Sequence, residues 1–177
     1  MSSNQLTYSP DTILSPVTPA GRAGCFAQPV AAARQQTVVS SASGSLGPLP
    51  TTTTPLASPL NIVSATVDTS CVGAASNLLV FSCVVSLPAG ATVTLDFQIR
   101  RTGGCGCQSS VVGSTYVFTE TAAAAVSESF GFQLFDLNVQ PGCYTYSVEL
   151  SANSSVNTTG VSISNGVLSV LTVPYRC

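Results

Sequence analysis

The strongest constraint on the fold is an alternation of apolar and polar residues that begins near residue 60. In the segment 93–100, Val, Leu, Phe and Ile occupy one parity, while Thr, Asp, Gln and Arg occupy the other. Segments 130–134 and 144–150 repeat this pattern. A period of two puts one set of side chains on the core and the other in solvent, so each segment predicts a half-buried β-strand. The segment 78–87 is apolar on both parities, which predicts a central strand covered on both faces.

Turn residues separate eight such segments. We predict strands at about 60–68, 78–87, 92–101, 111–119, 127–135, 143–151, 160–164 and 167–173. Between the last two, the pair Asn165-Gly166 predicts a tight hairpin, because both residues accept positive φ. Many short strands at this spacing predict an all-β fold, an eight-stranded antiparallel jelly-roll-like sandwich over residues 60–177.

The segment 1–59 differs in composition and holds eight of the eleven prolines. Proline fixes φ and lacks a backbone donor, so this segment cannot form a continuous central strand. It predicts an extended, Pro-rich N-terminal arm with one short strand over residues 37–40. We expect Val38 and Val39 to pair with the sheet edge of a neighbouring molecule, since an exposed edge is a template for strand addition. The alternative interpretation is a disordered tail.

Composition excludes most catalytic chemistry. The chain has no His and no Trp, and its five cationic residues are all Arg, so imidazole bases and lysine Schiff bases are both excluded. The seven carboxylates form no motif, and the Gly-rich stretch 103–106 lacks the Lys and helix of a phosphate loop. We therefore expect no enzyme activity and no cofactor. Scattered Arg residues argue against nucleic acid binding, and the short apolar runs argue against a membrane span.

Seven cysteines remain, and an odd number leaves at least one thiol free or joined to another chain. The only close pair has Cys-x-Cys spacing, which favours neither a structural zinc site nor a redox-active dithiol. We expect disulfides instead. The candidates for intermolecular disulfides are Cys25 in the arm, Cys105 and Cys107 in a Gly-rich loop, and Cys177 at the last position. The candidates for intrachain disulfides or buried thiols are Cys71, Cys83 and Cys143. Cys83 shares the parity of core residues, whereas Cys143 shares the parity of polar ones.

The cysteine content favours an oxidising destination, yet the first residues lack the basic and apolar runs of a secretory signal. Either the thiols bind metal in the cytosol, or the protein leaves the cell without secretion. Lysis of a bacterial mother cell around its spore would release it in the second way.

A succession of strand sequences carries a resemblance to a known family: Leu79–Cys83, Thr94–Ile99, Val112–Phe118, Phe130–Phe135 and Cys143–Val148. Over residues 60–177 the chain resembles small β-sandwich proteins of spore-forming bacteria and, more distantly, the endospore appendage (Ena) subunits. Those subunits are jelly rolls that assemble into pilus-like fibres, and cysteines of their N-terminal connector form disulfides with preceding subunits. The resemblance implies this connector role for Cys25.

These observations lead to three functional hypotheses. The first is a homopolymeric, disulfide-stabilised fibre subunit on the spore surface, released by mother-cell lysis and held by an anchoring protein of the spore coat or exosporium. The second is a non-polymeric spore-coat or adhesive binding module. The third, a small hydrolase or thiol enzyme, has the least support from the residues.

Overall fold

A computed structural model of the chain describes residues 37–49, 58–103, 106–152 and 158–174. These residues form eight strands joined by turns. In chain order the strands are β1 (Val38–Leu46), β2 (Leu60–Asp68), β3 (Ala75–Leu87), β4 (Thr92–Gly103), β5 (Gly106–Thr121), β6 (Val126–Val139), β7 (Cys143–Ala152) and β8 (Ser162–Pro174). Among the described residues, no helix is long and apolar enough to cross a membrane.

The strands form two four-stranded antiparallel sheets that pack face to face. Sheet A has the order β1-β8-β3-β6, and sheet B has the order β2-β7-β4-β5. Most consecutive strands lie in opposite sheets, and only β4 and β5 are paired as neighbours in the chain. This order is that of a jelly roll, so the predicted fold class is confirmed.

Alternating side chains of both sheets form the core. In β4, all four apolar residues of the segment 93–100 are fully buried, as the alternation predicted. An aromatic cluster spans the two sheets: the ring centroids of Phe81 and Phe97 are 6.0 Å apart, and those of Phe97 and Phe130 are 4.7 Å apart. At one side of this cluster the rings of Tyr116 and Phe132 are stacked 3.9 Å apart. Packing between these rings fixes the distance between the sheets.

The sandwich begins earlier than the expected boundary at residue 60. β1 lies within the segment assigned to the arm, yet it pairs with β8 of the same chain as an edge strand of sheet A. Val38, Ala42 and Leu46 pack against the core, while Val39, Ser41, Ser43 and Ser45 face outwards. The alternation of half-buried and exposed residues in β1 is regular, but most of its side chains are small, so the sequence gives little sign of the strand.

The hairpin predicted at Asn165-Gly166 is wrong, because β8 continues through both residues as a single strand. Asn165 has a φ of 51°, and the pairing register shifts on both sides of it, between Ser82 and Val84 and between Gly44 and Leu46. The pair therefore forms a bulge. A positive φ serves a bulge as well as a turn, so the local sequence does not distinguish them.

Candidate assembly surfaces

One end of the sandwich carries two exposed cysteines, Cys71 and Cys143, and we call it the thiol pole. The strand register defines this end. β1 begins there opposite the end of β8, since Val38 pairs with Thr172. β2 ends there opposite the start of β7, since Asp68 pairs with Cys143. The turn between β4 and β5 lies beside them, because Gly103 pairs with Tyr144 of β7.

Two described cysteines of the thiol pole, Cys71 and Cys143, are exposed free thiols. Cys71 lies in the turn that follows β2, which the bond from Val72 N–H to the Thr69 carbonyl (3.0 Å) closes. Cys143 is the first residue of β7 and has the outward parity expected of it. The sequence makes both residues candidates for intrachain disulfides or buried thiols, and among the described residues both are exposed and unbonded.

For four other cysteines, the structure describes residues that flank them in the chain. Cys107 is the second residue of β5, and its side chain is outside the description. Cys25, Cys105 and Cys177 lie outside the described residues; their nearest described neighbours are Thr37, the paired Gly103 and Gly106, and Pro174. All of these neighbours lie at the thiol pole. The described residues that flank these cysteines are thus at the same end of the fold as Cys71 and Cys143.

Cys83 is the exception. It lies in the middle of β3, is 4% exposed and is a free thiol, in agreement with its apolar parity. Burial raises the pKa of Cys83 to about 11, because the thiolate loses its hydration. The thiolate is the reactive form of cysteine, so this residue behaves as a small core side chain and not as a cross-linking group.

A buried polar network lies between the sheets, close to the strand ends that define the thiol pole. Thr172 Oγ1 donates to Asn77 Oδ1 at 2.7 Å, and Asn77 Nδ2 donates to Tyr146 Oη at 2.7 Å. Tyr146 Oη donates to Asp136 Oδ2 at 2.7 Å. Arg101 Nη1 donates to both Asp136 oxygens, at 3.1 and 2.8 Å. The network joins β8, β3 and β6 of sheet A to β7 and β4 of sheet B, so it ties the two sheets together at this end.

The surroundings of the network raise the pKa values of Tyr146 and Arg101. Burial raises the pKa of Tyr146 well above its usual range, and donation of its proton to Asp136 adds to the shift against the opposing bond from Asn77. Burial lowers the pKa of Arg101, but the Asp136 carboxylate outweighs this and the net shift is upward. Both shifts favour the protonated forms of Tyr146 and Arg101 near neutral pH.

The outer face of sheet B is polar over β2 and β7, whereas its edge strand β5 exposes Val111 and Val117. Hydroxyl pairs bridge β2 and β7: Ser64 Oγ lies 2.9 Å from Ser147 Oγ, and Thr66 Oγ1 lies 2.8 Å from Thr145 Oγ1. Beside them the ion pair of Arg100 Nε with a Glu149 carboxylate oxygen measures 2.9 Å. This face satisfies its own polar groups and suits contact with water.

The outer face of sheet A is different, because its half next to the thiol pole is apolar. The register sets four side chains in one row across all four strands: Val39, Leu171, Leu78 and Phe135. The row is flanked by further outward-facing apolar residues on the same face, namely Val173, Val80 and Leu137. We call these seven residues the apolar face. Among the described residues, the outer side of β3 is left uncovered, although the apolar run predicted cover on both faces.

Val38 and Val39, the predicted strand-pairing residues, lie at an edge of sheet A and pair with Thr172 and Leu171 of the same chain. The alternation did not reveal the apolar face, since each strand contributes only one or two residues to it. The signal was the run 78–87, in which the outward residues Leu78, Val80 and Val84 are apolar as well as the inward ones.

The architecture places the protein among the all-β jelly-roll sandwiches. The chain belongs to the family described as Domain of unknown function (DUF4489), whose profile matches residues 35–173 and thus includes β1. No curated protein matches its sequence. Among solved structures, a chain of the structure of infectious bursal disease virus Gx strain is similar in fold, with a TM-score of 0.48 and 12% identity. The match covers 77% of this chain and 32% of the viral chain, so this chain spans about a third of that one.

Proposed function

We propose that the protein is a self-assembling structural subunit of a disulfide-stabilised extracellular fibre on bacterial endospores. The observation that carries the proposal is the thiol pole. Two exposed free thiols lie there, and the flanks of four more cysteines lead to the same end. Thiols gathered on one end, away from a complete core, suit bonds between molecules better than bonds within one.

Composition supports the same proposal. Charged residues are only 7% of the chain, against about 25% in a typical globular protein. So neutral a surface favours self-association over colloidal repulsion. The partners proposed are copies of the chain and an anchoring protein of the spore coat or exosporium, and the place is the spore surface after mother-cell lysis. No catalytic role and no cofactor form part of the proposal.

The proposed connecting segment is the chain before Thr37, since β1 already has a partner in β8. Cys25 would form the bond between subunits, as the resemblance to endospore appendage subunits implies. Fully extended, residues 26–37 span at most ~40 Å. β3, with 13 residues, is about as long, at roughly 43 Å. Cys25 can therefore reach a thiol of an adjacent subunit but not one farther away.

The second candidate function is a non-polymeric spore-coat or adhesive binding module. It is favoured by the completeness of the sandwich, in which β1 occupies the edge of sheet A without help from another chain.

Electron microscopy and non-reducing gel electrophoresis of the full chain separate the two candidates. We expect filaments, and a ladder of covalent oligomers that collapses to monomer under reductant and in Cys25→Ser. Cys83→Ser is the matched control, because that thiol is buried, and its ladder should equal the wild-type one. Discrete particles that run only as monomers would rule out the fibre. A ladder that persists in Cys25→Ser would assign the bond to other thiols of the pole.

A further inference from the structure

The apolar face is a surface without a described partner. Val39, Phe135 and Leu137 are 69%, 59% and 60% exposed, far more than side chains of their kind usually are in a sheet that has packed on its core. The sandwich does not need them for stability, because the inward parity already fills the core. The exposure of these apolar side chains to water is unfavourable, and binding of a partner would remove them from water.

The apolar face also excludes charge. Along β1, β3, β6 and β8, which the structure describes in full, every outward-facing side chain is apolar or neutral and polar. A ligand of this face gains nothing from charge and must supply apolar side chains. Beside Val80, Gly131 has no side chain and leaves a shallow depression between β3 and β6. A Cβ at this position would lie 2.9 Å from the Phe81 carbonyl oxygen, so a larger residue fits poorly there.

We propose that the apolar face binds residues 1–36 of a second copy of the chain. This inference rests on the proposed function and names the surface on which the arm docks. The segment matches the face in chemistry, since it has only three charged residues and its larger apolar residues recur along its length: Leu6, Tyr8, Ile13, Leu14, Val17, Phe26 and Val30. It joins the sandwich at Thr37, two residues before Val39, so the arm of every copy starts beside an apolar face.

Two other occupants fit less well. The apolar faces of two copies could stack on each other, but a surface that contacts its own equivalent closes a pair and does not propagate a fibre. The arm of the same chain would have to fold back along β1 to reach its own face, because β1 runs from the thiol pole towards the opposite end of the sandwich. A molecule located beyond that pole receives the arm without a reversal.

Photo-crosslinking of the full chain tests this directly. p-Benzoyl-phenylalanine replaces Phe135, whose side chain faces solvent and is not part of the core. Equal amounts of unlabelled and heavy-isotope-labelled chains are mixed, assembled and irradiated, and the linked peptides are identified by mass spectrometry. We expect links from position 135 to peptides of residues 1–36, with half of them joining chains of different isotope content. The same photoreactive residue at Val117, which is 55% exposed on β5 of the other sheet, is the matched control and should lose these links.

The other outcomes overturn the inference. Links to residues 1–36 of the same chain only would place the arm in cis, links to sheet A of another copy would indicate stacked faces, and no links would leave the face unoccupied. A second measurement covers the energetics: Phe135→Ser with Leu137→Ser should raise the critical concentration for assembly about tenfold or more, because burial of large apolar side chains changes the equilibrium by at least that factor. Filaments with links elsewhere would refute the docking site alone. Links to residues 1–36 in particles that never form filaments would refute the fibre alone.

Discussion

At the residue scale, Asp136 holds the polar network together, because it accepts from both Tyr146 and Arg101. In Asp136→Asn, Arg101 loses its countercharge, so we expect the free energy of unfolding to fall by roughly 1–3 kcal/mol. Urea denaturation followed by circular dichroism measures it. The matched control is Glu149→Gln in the more exposed ion pair with Arg100, which should cost less than about 1 kcal/mol. Equal losses in the two variants would contradict a special role for the buried network.

Cys83 gives a second prediction at this scale. With a pKa of about 11, its thiolate fraction at pH 8 is about one in a thousand, and its side chain is also out of reach. After reduction, iodoacetamide at pH 8 should modify Cys71 and Cys143 in minutes and leave Cys83 intact until the protein unfolds. Mass spectrometry of the digested protein reads this out. Modification of Cys83 at the rate of Cys143 would contradict its place in the core.

The same shift makes stability depend on pH in a defined direction. The folded pKa of Cys83 lies above the ordinary thiol value of 9.0, so the folded state holds this proton more tightly than the unfolded state. The resulting stability is complete below pH 9 and is lost as the pH rises towards 11.

At the element scale, β1 depends on how closely it approaches β2. A Cβ at Gly44 would collide with the carbonyl oxygen of Ile62, and Ser40 Oγ donates to the Thr66 carbonyl at 2.7 Å. In Gly44→Ala, β1 must move away, so we expect its amide hydrogens to exchange faster while those of β3 stay protected. Ser43→Ala is the control, since Ser43 faces outwards. Unchanged protection of β1 in Gly44→Ala would show that the approach is not required.

The alternation of apolar and polar residues predicted the strands after residue 60 well, because large inward side chains are easy to recognise in the sequence. It underestimated β1, whose residues between Val39 and Leu46 are Ser, Ala and Gly, and it misread Asn165-Gly166, whose local conformation serves both a turn and a bulge. Parity alone predicted the burial of Cys83 and the exposure of Cys143. The thiol pole and the apolar face could not be predicted in this way, because both depend on which strands are neighbours across the sheets.

At the scale of the whole molecule, the two ends and the two faces are unlike. Thiols gather at one end, hydroxyl pairs and an ion pair cover sheet B, and apolar side chains cover half of sheet A. Such a molecule is polar along its strands. A disulfide at the thiol pole together with a contact on the apolar face would fix both the position and the orientation of a neighbouring copy. Each type of contact can be removed separately by substitution.

The lack of charge on the apolar face has a consequence for the conditions of assembly. An association driven by apolar surface has little enthalpy near room temperature and a negative change in heat capacity, so it weakens on cooling. We expect filament growth under reducing conditions to be slower at 4 °C than at 37 °C, to change little between low and moderate sodium chloride, and to be promoted by ammonium sulfate. Light scattering during a temperature cycle measures this. Growth that sodium chloride suppresses would indicate that opposite charges, and not the apolar face, bring the subunits together.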